Sequence, residues 1–428
     1  MEAFAKLPKP RRMLVIVPAN IRTQWVEVSR AYGFTVQEIE STKGVVDADS
    51  EIVVVSYHGI IRKPVWQSAM KVRWDVLTLD EAHYCKTPST KWTKGIFGAR
   101  KNTPACLMRR ASRVWMLTGT PLLKDPSDLW VIVSRVFPDV LTKTQPEITK
   151  RAEWIARWCS GYDTPYGFKV TGARDPDQLH ALLKPYMSRV KKRDVMSWLK
   201  EPIFEPFYLP PRKIVIDTEG SEALQEFLAA MDDADTDDAD IALLAEQMEP
   251  QVATLRRAIG LSKADEIATL IADELASTDE KALVFFLHTD VGRAIHTALS
   301  AAGLRPVMYD GKTSRASRER NLKAFQDDPD VRAFVGQITA SGTGTDGLQI
   351  ASRVFIAEEP WTPGALDQVV SRADRGGQEG QVFVTSFRIK GSYDERVAKA
   401  LATRARMVGQ VIDGDNDNFP LKQKDQAA

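Results

Sequence analysis

The chain has 428 residues, 43% of them hydrophobic, with 58 Lys and Arg against 57 Asp and Glu. A chain of that size and polarity can bury a sizeable core, which excludes a disordered or fibrous protein and suggests two or three domains. The formal charge of +1 hides an asymmetry: residues 1–200 carry 33 basic and 19 acidic groups, residues 201–250 carry 2 and 14, and the rest carry 23 and 24. A basic first half is therefore cancelled by one acidic insertion, so the neutral total does not exclude a polyanionic partner.

The first half shows short apolar runs at 14–17, 52–55, 76–79 and 114–117, each followed by a stretch able to form a helix. The pattern predicts a parallel α/β sheet. The run at 14–17 follows basic residues as in a signal peptide. It is too short and meets Pro18, so it reads as a buried strand. The second half repeats the pattern at 282–287, 331–335, 354–357 and 382–387. Between the halves, residues 202–213 contain four prolines and read as a linker. Residues 231–240 are Asp-rich but lack the Gly and Glu of a calcium loop, so they read as a solvated acidic insertion. Residues 413–428 form a polar tail. The expected organisation is a first lobe over 1–200, a linker and insertion over 201–255, a second lobe over 256–412 and then the tail. Cys85, Cys106 and Cys159 show no CxxC or His-Cys spacing, which argues against a zinc site or a disulfide framework. No apolar run approaches the roughly 18 residues of a membrane span, so no membrane partner is expected.

Four segments carry chemistry. Val76-Leu-Thr-Leu79 delivers Asp80 and Glu81 at a strand's C-terminal end, followed by Ala82 and His83. Such a pair is either a surface turn or a site where Asp80 holds magnesium and Glu81 polarises a water. One strand later come Thr118-Gly119-Thr120-Pro121, whose hydroxyls can bond the carboxylates. Residues 339–349 form a Gly-rich loop, Thr-Ala-Ser-Gly-Thr-Gly-Thr-Asp-Gly-Leu-Gln, suited to phosphate oxygens. In the fourth segment, a helix over 366–375 would place Gln368, Arg372 and Arg375 on one face. Two guanidinium groups aimed at one point suit a transferring phosphoryl group.

In this order the four segments resemble the Swi/Snf-like branch of the superfamily-two helicases and translocases, with a DEAH-type motif, especially the small HARP-like and phage members. Val15-Ile-Val-Pro-Ala-Asn20 with Trp25, Val54-Val-Ser-Tyr57, and Ser188-Arg-Val-Lys-Lys-Arg-Asp-Val195 followed by Leu209-Pro-Pro-Arg-Lys213 are similar to further family segments. The resemblance implies two RecA-like parallel-sheet lobes, ATP and Mg2+ as cofactors in the cleft between them, and sequence-tolerant contacts to DNA phosphates. It implies that Asp80 and Glu81 hold the metal and catalyse, with Arg372 and Arg375 stabilising the transition state. Gln368, Gly344 and Asp346 would contact nucleotide. His83, Thr118, Gly119 and Thr120 would couple nucleotide to DNA, and Asn20, Ser56, Tyr57, Lys312, Gly342, Thr343 and Thr345 would touch DNA. The expected location is the cytoplasm, that of the host if the protein is phage-encoded.

The chain departs from the family in one major respect. No Gly-x-x-x-x-Gly-Lys-Ser/Thr occurs, and Gly311-Lys312-Thr313 is no substitute because Pro306 stands where the first glycine would fall. The first lobe is thus expected to be incomplete. The start is internal to a longer gene, or a separately encoded N-terminal segment supplies the phosphate loop, or the protein is a non-hydrolysing DNA-binding or assembly module. Retention of Asp80, Glu81, Arg372 and Arg375 favours the first two. Lesser departures are Thr345-Asp346-Gly347 and Asp374, which stands where the family has an uncharged residue or His and is expected to face away from the cleft.

Overall fold

A computed structural model describes residues 1–41, 43–47, 49–99, 105–164, 167–216, 248–341 and 345–415, with four isolated positions between 222 and 229. The acidic run 231–240 and most of the polar tail lie outside them. The chain divides into two compact units, residues 1–188 with 407–416, and 189–406 with 417–428.

The first unit is built on a parallel sheet of β1 (Met13–Val17), β2 (Val36–Ile39), β3 (Ile52–Ser56), β4 (Trp74–Asp80) and β5 (Ala111–Leu117), in the order β2-β3-β1-β4-β5. Every residue of β1 and β3 is buried, as a sheet covered on both faces requires. Because side chains alternate along a strand, Leu14, Ile16, Val53 and Val55 pack into one core. Met13, Val15, Ile52 and Val54 pack into the core on the opposite face. The helix Arg22–Ala31 returns the chain from β1, and Gly33, at φ 80°, supplies the left-handed residue that ends it. An antiparallel ribbon of β6 (Cys159–Thr164) and β7 (Gly167–Ala173) follows. A separate helical cluster around Trp154, Trp158, Leu179 and Leu183 takes in Met407, Val411 and Ile412 from the far end of the chain.

The second unit carries six parallel strands: β8 (Ile203–Leu209), β9 (Ala282–Phe286), β10 (Val307–Tyr309), β11 (Ala333–Gln337), β12 (Arg353–Ile356) and β13 (Phe383–Ile389). Their order is β10-β11-β9-β12-β13-β8. Ala282, Val284 and Phe286 face one core while Leu283 and Phe285 face the other. The expected α/β class with two parallel-sheet lobes is what the chain adopts. The proline-rich stretch read as a linker instead contains β8, which pairs along its length with β13. It lies at the sheet edge, where Pro206 needs no inward donor. Among the described residues no helix is long and apolar enough to cross a membrane, and the three cysteines are buried and form no disulfide with one another.

Candidate functional site

In the first unit the chemistry gathers at the C-terminal ends of β4 and β5. Asp80 closes β4, and the Trp25 indole donates to its Oδ2 at 2.6 Å while the Glu81 amide donates to its Oδ1 at 2.9 Å. Burial pushes the Asp80 carboxyl above its ordinary pKa; the Trp25 bond works against this and the Glu81 charge reinforces it. Tyr57 supports the same residue from below, its hydroxyl donating to the Asp80 carbonyl at 2.8 Å and its ring stacking on Tyr84.

Glu81 holds a left-handed backbone, φ 49° and ψ 53°, which costs a non-glycine residue about 1 kcal/mol or more. The turn aims its carboxylate at β5: His83 Nδ1 lies 3.2 Å from Glu81 Oε2 and 3.0 Å from Thr118 Oγ1. Thr118 Oγ1 in turn lies 3.4 Å from Glu81 Oε2 and accepts the Thr120 amide at 3.0 Å. Glu81, His83 and Thr118 therefore form one polar triangle beside Asp80. Thr120 is buried, its hydroxyl without a hydrogen-bond partner among the described residues, and Gly119 has open space where a side chain would stand.

These carboxylates supply the oxygen donors that magnesium takes. Among the described residues no group of three or more His, Cys, Asp or Glu could cage a metal.

The expected DNA contacts separate by exposure. Asn20 is exposed in the turn after β1, and Lys312 is exposed beyond β10. Ser56 is buried because its hydroxyl caps the helix Tyr57–Ile60 by accepting the Gly59 amide, and Tyr57 is 1% exposed beneath Asp80. Through the cap and the bond to the Asp80 carbonyl, both residues support the carboxylate turn. Thr345 is likewise 1% exposed, its hydroxyl bound to the Ser341 carbonyl. Gly342, Thr343 and Gly344 lie outside the described residues. Asp310 organises the Lys312 turn by accepting the Lys312 and Thr313 amides and the Thr313 hydroxyl. Burial of Asp310 opposes ionisation, yet these bonds hold its carboxyl below the usual range.

The arginine segment differs from the expected single helix. The helix Pro363–Val370 stops before Arg372, and residues 371–375 continue in turns held by Arg372 N–H to Val369 O (3.1 Å) and Ala373 N–H to Val370 O (3.0 Å). Gln378 ties the turn to residues 349–351: its Nε2 lies 3.0, 2.9 and 3.3 Å from the carbonyl oxygens of Gln349, Ala351 and Ala373. Gly377, at φ 94°, then reverses the chain. Gln368 stays on the helix, partly buried. Arg372 donates to the Thr345 carbonyl at 3.2 Å, and Arg375 pairs with Asp346. Asp346 thus meets the arginine pair from its own loop. Asp374, expected to face away from the cleft, is 4% exposed and bonded on both carboxylate oxygens.

Sequence reasoning passed over Tyr84 and assigned Trp25 only to a DNA-contacting segment. It gave no role to Glu358 and Glu359. Glu358 accepts the Leu287 and His288 amides and His288 Nδ1, and Glu359 grips Arg388. Burial of Glu358 opposes its charge, but the His288 bonds hold its carboxyl low.

Residues 3–214 match the SNF2-related domain and residues 262–377 the helicase conserved C-terminal domain. The chain is 25% identical over 429 residues to the DNA annealing helicase and endonuclease ZRANB3 of Mus musculus, covering 97% of this chain and 38% of that protein. It is 26% identical over 411 residues to the SWI/SNF-related matrix-associated actin-dependent regulator of chromatin subfamily A-like protein 1 homolog of Caenorhabditis elegans, covering 93% and 55%. The chain therefore spans about two fifths to just over half of these curated relatives. The solved SWI2/SNF2 ATPase core of Sulfolobus solfataricus in complex with dsDNA is similar at 20% identity and a TM-score of 0.38, with 97% of this chain and 85% of that one covered.

Proposed function

Because the chain joins an SNF2-related domain to a helicase conserved C-terminal domain, we propose that it is the motor portion of an ATP-dependent DNA translocase. Asp80 holds the magnesium ion, which neutralises phosphate charge when bound. Glu81 orients the attacking water, and Arg372 and Arg375 from the second unit stabilise the charge that spreads over the transferring phosphoryl group. The observation that carries this reading is the triangle of Glu81, His83 and Thr118 beside Asp80. It ties a candidate water-orienting carboxylate to the next strand end, so a change at the nucleotide is felt at residues 118–120. DNA is the polymer acted on, in keeping with the basic balance of residues 1–200 and with the relatives' names. Contacts through Asn20 and Lys312 would be sequence-tolerant and salt-sensitive.

The 428 residues hold no phosphate loop, so hydrolysis depends on one supplied from outside them. The edge strand β5 supports this. Its Val114, Trp115 and Met116 are only partly buried and Leu117 is 42% exposed, whereas β1 and β3 are buried throughout. A strand laid parallel on β5 would carry its following loop to the sheet end that bears Asp80 and Glu81. The same missing loop favours a second reading, a DNA-binding or assembly module that no longer hydrolyses ATP.

ATP hydrolysis by the purified chain, with and without duplex DNA, separates these. Turnover that appears only when a phosphate-loop segment is added, and disappears with Glu81→Gln, supports the motor. DNA-stimulated turnover by the chain alone would sink the claim that a loop must be added. DNA binding with no turnover under either condition selects the non-hydrolysing module.

A further inference from the structure

Asp374 is the residue at which the second unit's first segment is locked to its arginine turn. Lys192 and Arg193 stand on the short helix Lys192–Val195, some 180 residues earlier in the chain. All three protons of the Lys192 ammonium are engaged there: it donates to the Ser371 hydroxyl at 3.0 Å, the Asp374 carbonyl at 2.6 Å and Asp374 Oδ2 at 2.9 Å. Arg193 Nη2 bridges both Asp374 oxygens at 2.9 and 3.0 Å, while its Nη1 donates to the Leu199 carbonyl at 2.9 Å. The Asp374 side chain is 6% exposed.

The amides of residues 371–375 all donate to carbonyls only two to four positions back, which sets the local turns but leaves their attachment to more distant parts of the unit to side chains. The only acidic side chain within that stretch is Asp374, and it lies between Arg372 and Arg375 in a loop already crowded with positive charge. A buried carboxylate with three charge-assisted bonds is a rigid anchor. The Arg375–Asp346 pair is a weaker tie, since those side chains are 36% and 62% exposed. Asp374 is thus the charged anchor of the segment, flanked by two arginines, of which Arg375 sits in a displaceable pair.

We propose that Asp374 is a positioning residue, a socket for Lys192 and Arg193 that holds Arg372 and Arg375 in the orientation phosphoryl transfer needs. The claim rests on the motor reading above for its consequence, and on the geometry alone for the socket.

The test uses the full chain, with the phosphate-loop segment added where hydrolysis requires it. Asp374→Asn and the double variant Lys192→Gln, Arg193→Gln are compared with the parent for kcat, KM for ATP, thermal midpoint, and hydrogen exchange of the 371–378 amides. The socket predicts amide exchange at least about tenfold faster over 371–378 in both variants, and kcat reduced about tenfold or more with KM changed much less. The effects of combining all three substitutions should not add, because each breaks the same contact. Unchanged exchange in Asp374→Asn overturns the socket, whatever the activity. Faster exchange with parental kcat overturns the positioning role while leaving the motor reading intact. A kcat loss that merely follows the fraction unfolded, and vanishes on cooling, also overturns it. If the parent chain never hydrolyses ATP with the segment present, the motor reading and the positioning role fail together, and the exchange result still decides the socket.

Discussion

Replacing Lys263 by Met tests whether one buried ion pair holds the second unit together. Lys263 is 1% exposed on the helix Glu249–Ala276, and its ammonium donates at 2.7 Å to both the Phe387 carbonyl and Asp394 Oδ2. It therefore joins the end of β13 to the start of the helix Tyr393–Val408. Met fills similar volume but leaves the Asp394 carboxylate, 15% exposed, to the Ile389 amide, which donates at 3.2 Å. Breaking one side of such a pair costs about 3–5 kcal/mol. In the double variant with Asp394→Asn no charge is buried, and the remaining defect is the Phe387 carbonyl, worth about 1–3 kcal/mol. The pair should therefore show a coupling of roughly 2 kcal/mol or more in a double-mutant cycle. Because two units need not unfold together, the measurement is hydrogen exchange of the β13 amides across a urea series, which reports the second unit directly. A cost below about 1 kcal/mol for Lys263→Met, or strict additivity with Asp394→Asn, would refute the reasoning.

Three further outcomes are expected. Gly292→Ala would place a Cβ 2.4 Å from the Phe286 ring, which is fully buried, and should destabilise by about 1–3 kcal/mol, read as a lowered thermal midpoint; an unchanged midpoint would contradict the packing. The folded Asp80 carboxyl keeps its proton to higher pH than in the unfolded chain, chiefly through burial. Its contribution to stability thus falls as pH rises through that window, and the midpoint of the parent relative to Asp80→Asn should drop from about pH 4 towards neutrality; a rise would reverse the assigned cause. With the phosphate-loop segment added, Thr118→Val, which removes the hydroxyl shared by His83 and Glu81, should lower DNA stimulation about tenfold, measured as the ratio of rates with and without duplex; an unchanged ratio would exclude Thr118 from coupling.

The parts legible in the sequence were those with a strong period or a terminal motif. β4 was readable because an apolar run ends in two carboxylates, and β9 because its run has no polar interruption. β8 was hidden by Pro202, Pro206, Pro210 and Pro211, which signal a linker unless the strand lies at an edge. The three-residue β10 is too short to show a period. Among site residues, exposure was the invisible variable. Ser56 and Tyr57 follow a buried strand in a segment similar to a DNA-contacting one, yet the cap and the Asp80 contact turn both inward. The burial of Asp374 was not legible because an idealised helix was carried five residues past its end at Val370. Its partners lie about 180 positions away, a distance at which no local pattern speaks.

The return of residues 407–416 to the first unit bears on how the protein is made. His180 Nδ1 lies 3.1 Å from the Val411 carbonyl, and Met407, Val411 and Ile412 complete the core around Trp154 and Leu179. On a ribosome adding roughly 5–20 residues per second, that core waits some tens of seconds after its earlier part has emerged, until almost the whole second unit has been synthesised. During that interval Trp154, Trp158 and Leu183 have an unfinished apolar surface, which invites a chaperone or aggregation. Folding of the two units is thereby ordered in time: the helical cluster of the first can close only after the chain has passed through the second.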